Sequence, residues 1–174
     1  FIKRQLINIG LLSLSIILFS ISFPGFFSEE GLAFFSFIAL IPMFLVIFKS
    51  NYPETIIFGF IFGLCKYLLF NYWLKAFDLA AFSVVPGIHG LYFLILFPVI
   101  KFFYNTFPKI TYIPISITWL FYEIFKSTNI VGYSYGLISQ SMYKTHLFTG
   151  IADIFGSYYL SILIIFPGLI VSII

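Results

Sequence analysis

Charge is scarce in this chain. Only 9% of its 174 residues are charged, nine basic and six acidic. A soluble domain carries about a quarter, so a water-facing surface cannot be covered here. The net charge of +3 is too small and too dispersed to recruit nucleic acid. Cysteine occurs once, at Cys65, which excludes an internal disulfide framework. Histidine occurs twice, at His89 and His146, and neither has a second histidine at ligand spacing, so no metal is expected. No Ser-His-Asp set or Gly-rich phosphate loop occurs, and neither does an internal repeat or a low-complexity tract. The sequence carries no self-sufficient catalytic constellation.

Apolar side chains fill the space that charge leaves. The chain is 61% hydrophobic, with 26 phenylalanines and a mean hydropathy of +1.11. Its runs are long and unbroken, unlike the roughly ten-residue alternating segments of a membrane barrel. In a bilayer every backbone polar group must pair internally, and a helix does this within one segment. The fold class that follows is all-α, a polytopic transmembrane helical bundle.

A spanning helix needs roughly 20 mainly apolar residues, and about six segments qualify. They run from about Gln5 to Ser22, Gly31 to Phe48, Thr55 to Phe77, Ser83 to Phe103, Thr111 to Phe125, and Ile151 to the end. Polar punctuation separates them: a turn with two acids over 23–31, a loop over 49–54, and Asn105 to Lys109. Pro53 suits the start of the third helix. The Lys3-Arg4 pair precedes an apolar stretch but no small-residue cleavage site, which reads as an uncleaved first helix rather than a signal peptide. The chain starts at Phe1 and stops inside an apolar run, and is read as one membrane domain, 1–174, of a longer protein.

Loop lysines and arginines set orientation. With the N-terminus cytoplasmic, the inner side carries Lys3, Arg4, Lys49, Lys101 and Lys109. The outer side then carries Lys75, Lys126 and Lys144 with Glu29, Glu30 and Asp78. That assignment is favoured, and it places the uncharged stretch 131–143, VGYSYGLISQSMY, on the outer face.

Few residues carry candidate chemistry. Tyr133, Tyr135 and Tyr143 read as an aromatic belt at the membrane–water boundary, or as a mouth for an amphiphilic ligand with rings against acyl chains and hydroxyls towards headgroups. Gly132 and Gly136 permit tight backbone under either reading. Glu123 and Lys126, three apart, share a helix face. Glu123 is a functional candidate by virtue of its depth, or half of an interfacial ion pair; Lys126 reads as a snorkelling side chain. Lys66, in mid-span, reads as structural, paired with a carboxylate or snorkelling. Asn71 and Trp73 are boundary anchors or site residues. Gly59 and Gly63 fit the small-xxx-small pattern of close helix approach. Cys65 lies next to Lys66, but adjacent helical residues point about 100° apart, so it reads as a buried, inert thiol. His146 reads as a solvated loop residue.

Several segments, taken in order, resemble the N-terminal membrane domain of apolipoprotein N-acyltransferases. FPGFFSEEGLAFFSFIALIPMFLVI is similar to that family's first turn and second helix, and GFIFGLCKYLLFNYWL to its Gly-rich third helix with an aromatic Asn-Trp or Tyr-Trp ending. ITWLFYEIFKS resembles its Trp-x-x-x-Glu-x-x-Arg helix, with Trp119 and Glu123 in place and Lys126 near the arginine position. VGYSYGLISQS resembles its aromatic loop, with Ser134 and Tyr135 where the family has proline and tryptophan. TGIADIFGSYYLSILIIF resembles the helix that follows.

The resemblance implies a bacterial inner-membrane, multi-pass protein. Its activity would be transfer of a phospholipid acyl chain to the N-terminal diacylglyceryl-cysteine of a lipoprotein. In the family a nitrilase-like domain does this with a Glu-Lys-Cys triad through a thioester, and that domain follows a seventh helix, expected after Ile174. This segment would contribute no catalytic residue and no cofactor or metal site. Its partners would be membrane phospholipid as acyl donor, diacylglyceryl-lipoprotein as acceptor, and the nitrilase-like domain of the same chain. Candidate lipid-binding residues are Tyr133, Tyr135, Glu123, Trp119, Trp73 and Asn71. A polytopic transporter, with Lys66 and Glu123 at its site, is the alternative.

Overall fold

A computed structural model describes residues 2–25, 27–129 and 132–174. Phe26, in the first turn, and Val131, which opens the tyrosine-rich stretch, lie outside them. The regular elements described are helical: α1 Ile2–Ile21, α2 Ser36–Ala39, α3 Ile41–Lys49, α4 Tyr52–Phe70, α5 Leu79–Thr106, α6 Tyr112–Thr128, α7 His146–Phe155 and α8 Ser157–Ile173. Short 3-10 turns occupy Ala33–Phe35, Tyr72–Ala76 and Ile138–Met142. No strand forms among the described residues, only an isolated bridge between Gly25 and Ser28.

Three helices, α1, α4 and α5, are each long and apolar enough to cross a membrane. The other segments depart from simple spans. The second is a broken run, Ala33–Lys49, in which α2 ends before Leu40 and α3 restarts with Pro42 in its first turn, where a missing N–H costs little. The third stops at Phe70, short of Phe77, and passes into a 3-10 turn. The fourth starts earlier, where the Asp78 carboxylate accepts the Ala80 N–H at 2.8 Å, and continues to Thr106 through Pro86 and Pro98. The sixth divides at Gly156 (φ 85°, ψ 156°), leaving ten-residue α7 and seventeen-residue α8.

Phenylalanine fills the interior. Phe19, Phe44, Phe62, Phe93 and Phe97 are buried with Trp119 and Tyr67, while Ile57, Ile95, Phe121 and Phe125 point outwards. Large apolar side chains on both sides of a helix are what a bilayer solvent permits. Cys65 belongs to the outward set: it is exposed on α4, not buried as its composition-based reading had it. In so apolar a helix, nothing in the residue types separates the lipid face from the bundle face.

The most extensive helix–helix contact among the described residues is α4 with α5, and glycine makes its close approach possible. A Cβ on Gly59 would collide with the Phe93 carbonyl, and one on Gly63 would stand 2.6 Å from the His89 carbonyl oxygen. The small-xxx-small reading of these two glycines is therefore borne out. Phe62, on the same stretch of α4, meets Phe93 with ring centroids 5.2 Å apart.

Polar contacts sort to the two ends of the bundle. At one end Arg4 pairs with Glu54, which also accepts from Gln5 at 2.7 Å, and Lys101 donates to the Phe48 carbonyl at 2.7 Å. Glu54 and Asn51 form a reciprocal capping box there at the start of α4, with Pro53 in its first turn. At the other end Lys144 pairs with Glu30 at 3.1 Å, and Tyr133 donates to Asn71 at 2.8 Å. Loops assigned to the same side by charge thus meet each other.

Gly59→Val and Gly63→Val should each destabilise the fold by about 1–3 kcal/mol through overpacking. Gly87→Ala, whose added Cβ has nothing within 4 Å, should not. Unfolding midpoints in detergent measure the contrast; equal midpoints for all three would remove the α4–α5 approach as a determinant.

Candidate functional site

Three side chains on one face of α6 organise the end of the bundle that carries loop 132–143. Trp119, Glu123 and Lys126 are spaced four and then three residues apart, so they stack along the helix, and all three are buried. The Trp119 indole N–H donates to Glu123 Oε1 at 3.1 Å, and the backbone N–H of Ile138 donates to the same oxygen at 3.0 Å. Lys126 Nζ donates to the Tyr67 hydroxyl at 3.0 Å and to the Tyr135 carbonyl at 3.1 Å. Lys126 is therefore turned inwards rather than snorkelling to water. A lysine near a helix end has stem enough for either course, and here a phenol and a carbonyl supply acceptors inside. Glu123 and Lys126 spend their bonds on the loop, on Trp119 of their own helix and on α4.

The tyrosine-rich loop folds back onto these groups. Tyr133 N–H donates to the Lys126 carbonyl at 2.9 Å, and Gly136 N–H to Gln140 Oε1 at 2.9 Å, while Gln140 Nε2 donates to the Ser134 carbonyl at 3.1 Å. Gly136 has φ +81°, and a Cβ there would come within 2.7 Å of the Phe70 ring. The residue is required both by its left-handed backbone and by that close approach.

Rings join the loop to the bundle in a continuous series. Trp73, at the surface, meets Tyr135 edge-on at 5.7 Å; Tyr135 meets Tyr133 at 6.2 Å; Tyr133 meets His89 at 5.5 Å; and His89 stacks on Tyr67 at 3.7 Å. Tyr135 also stacks on Phe70 at 4.8 Å. Beneath this series Lys66 Nζ sits 3.6 Å from the Phe19 ring centroid and 5.2 Å from that of Tyr67. A buried ammonium is costly unless partnered, and the negative faces of these rings stabilise it.

The loop tyrosines keep their protons. Burial pushes the Tyr133 hydroxyl above the ordinary tyrosine range, and nearby Tyr135 adds to the shift. Burial also raises Tyr135, with Tyr72 contributing. Both therefore remain neutral hydrogen-bonding groups, and Tyr133 uses its hydroxyl as a donor to Asn71. Glu123 Oε2, Asn71 Nδ2 and His89 Nδ1 are buried without a hydrogen-bond partner among the described residues. Such atoms accommodate ordered water. Beside this cluster an open, apolar groove of about 350 Å³ runs between α5 and α6, from Tyr92 and Phe125 to Val99 and Thr118. Asn129 Nδ2 donates to the Tyr92 hydroxyl at 2.8 Å at one end of it.

All six candidate residues thus lie in one connected region. Trp119 and Glu123 form its buried floor, Asn71 and Tyr133 a bridge, Tyr135 and Trp73 its outer wall. Tyr143 stands apart, donating to the Glu30 carbonyl at 3.3 Å. Tyr67, His89 and Gln140 belong to the region but were not singled out as site residues. Tyr67 and His89 have no local signal, because their stack exists only once α4 meets α5. Gln140 stood in the quoted stretch, where its amide marks it as a loop lock.

Comparison with known proteins gives a family. Residues 15–170 match the family model described as Apolipoprotein N-acyltransferase N-terminal domain. Apolipoprotein N-acyltransferase 1 of Treponema denticola is 28% identical over 160 residues, covering 92% of this chain and 29% of that protein. The protein of the same name in Treponema pallidum is 28% identical over 152 residues, covering 87% and 28% respectively. The chain spans less than a third of the length of these curated relatives. No solved structure matches it.

Gly136→Ala should destabilise the loop by about 1–3 kcal/mol, through positive-φ strain and the clash with Phe70. Loosening Tyr135 uncovers Trp73, so acrylamide quenching should rise. Trp119 is buried and contributes little to that signal. Unchanged quenching would show that the loop does not need the glycine.

Proposed function

This chain belongs to the family of apolipoprotein N-acyltransferase N-terminal domains, and from that premise we propose that it anchors a catalytic domain and admits two lipids to it. The acyl donor is a membrane phospholipid and the acceptor a diacylglyceryl-modified lipoprotein. The match over residues 15–170 is the observation that carries this reading. The wall of Trp73, Tyr135 and Tyr133 supports the finer part: rings suit acyl chains, and neutral hydroxyls suit headgroups. The apolar groove between α5 and α6 offers a course for a chain beside that wall.

The proposal extends to setting. The protein is a multi-pass component of the bacterial inner membrane, with its N-terminus in the cytoplasm and loop 132–143 outside. The sorting of Arg4–Glu54 to one end and Lys144–Glu30 to the other supports a common sidedness for those loops. In the complete protein, a further spanning helix and a nitrilase-like domain with a Glu-Lys-Cys triad follow residue 174. The chemistry is nucleophilic: a thiol takes the acyl group as a thioester and passes it to an amine. The membrane segment supplies position rather than the nucleophile. Lys66 lies among rings and Glu123 Oε1 is bonded to Trp119 and to a loop amide, contacts that favour structural roles for both over a transport site.

Replacing both Tyr133 and Tyr135 by alanine in the complete protein should slow lipoprotein acylation roughly tenfold, about 1.4 kcal/mol. The paired phenylalanine changes should cost less, because they keep the rings. Acylation assayed in membranes, beside thermal stability of the same variants, measures this. Wild-type turnover by a folded double alanine variant contradicts the lipid-wall reading.

A further inference from the structure

We propose that Glu123 and Lys126 are positioning residues, which hold the tyrosine loop by its backbone and do not contact lipid. This rests on the reading of that loop as a lipid-contacting wall. It gives Glu123 a role other than the direct lipid contact expected of it among the candidates that the resemblance suggested.

The bonds are to main chain, at three points along the loop. Tyr133 N–H meets the Lys126 carbonyl, the Tyr135 carbonyl meets Lys126 Nζ, and Ile138 N–H meets Glu123 Oε1. Backbone contacts fix where the loop runs without constraining which side chains it presents. The two side-chain bonds lie on either side of Gly136, the residue whose backbone turns the loop. One grips by an acceptor and the other by a donor, so neither residue can substitute for the other. Both charges are out of water, and a hydrogen bond to a charged group contributes more than a neutral one.

Each anchor is itself held. Trp119 donates to the same Glu123 oxygen that receives Ile138, which fixes the carboxylate's orientation. Lys126 also bonds the Tyr67 hydroxyl, and Tyr67 is stacked on His89 and hydrogen-bonded with Tyr122 at 3.2 Å. The loop position is thereby referred to α4, α5 and α6 together. The spacing of Trp119, Glu123 and Lys126 has a physical meaning on this account: one aromatic donor, one acceptor and one double donor, stacked on successive turns facing the loop.

Amide hydrogen exchange in the complete, membrane-reconstituted protein tests this directly. Glu123→Ala should accelerate exchange at Ile138, and Lys126→Met at Gly136 and Ile138, by roughly tenfold or more. Glu123→Gln, whose amide oxygen still accepts, and Lys126→Arg, which still donates twice, should largely restore protection. Amides in the middle of α4 serve as the folding control and should be unaffected. Acylation kinetics on the same proteins should show KM for phospholipid rising more than kcat falls, with recovery in the Gln and Arg variants.

Unchanged loop exchange in both the alanine and methionine variants overturns the proposal, as does equal loss in the conservative pair. Faster loop exchange with unaltered acylation would uphold the clamp and overturn the lipid-wall reading instead. The two failures are thus distinguishable.

Discussion

A carboxylate and an ammonium on adjacent turns of α6, both shut away from water, must find their partners within the protein. Leaving either charge bare would be far more expensive than any single packing contact. Glu123 and Lys126 form no direct hydrogen bond or ion pair with each other among the described residues. They take an indole, a phenol and two main-chain groups of the following loop. That requirement ties a polar inter-helix segment, of an otherwise mobile class, down onto one end of the bundle. The aromatic wall exists because the loop beneath it is held.

The second constraint is steric and lies deeper. Gly59 and Gly63 let α4 approach the α5 backbone, and this approach sets Tyr67 flat against His89. Without that stack, Lys126 would lose the support of its phenol acceptor, and Tyr133 would lose the surface on which it rests. Lys66 shares the same interior and is enclosed by ring faces. Packing and polar satisfaction are thus coupled: glycines bring the helices together, rings line the gap, and charges tie the loop above it. Trp73, Tyr135 and Tyr133 then form one connected aromatic series above that interior.

Much of this was legible in the residues, and the failures have physical causes. The cores of α1, α4 and α5 follow from uninterrupted apolar runs, and the glycine pair announced a close approach. The break at Leu40 and the division at Gly156 were hidden because apolar residues continue on both sides of each. The 3-10 turn after Phe70 is hidden in its span because Tyr72, Trp73 and Leu74 are large rings and an aliphatic side chain that an apolar run accommodates. Cys65 was misplaced because a chain solvated by lipid carries no polar stripe to mark its outward face. Lys126 was misdirected because a long stem allows both courses, and the choice depends on Tyr67 and Tyr135, distant in sequence or beyond the helix. The candidate site residues were found by type and by resemblance. Their division into loop anchors and lipid-facing rings needed the bonds themselves.

On the proposed topology the loop after α6 is a fixed structure on the outer face, with one side open and the other sealed against the bundle. Single-cysteine labelling in a Cys65→Ser background tests it most directly, with a membrane-impermeant maleimide applied to intact spheroplasts. Ser134 is exposed and Ser139 is buried. The account predicts rapid modification of Ser134→Cys from outside and slow modification of Ser139→Cys in the same cells. Modification of Ser134→Cys only after access to the cytoplasmic side, or equal rates at the two positions, would contradict it.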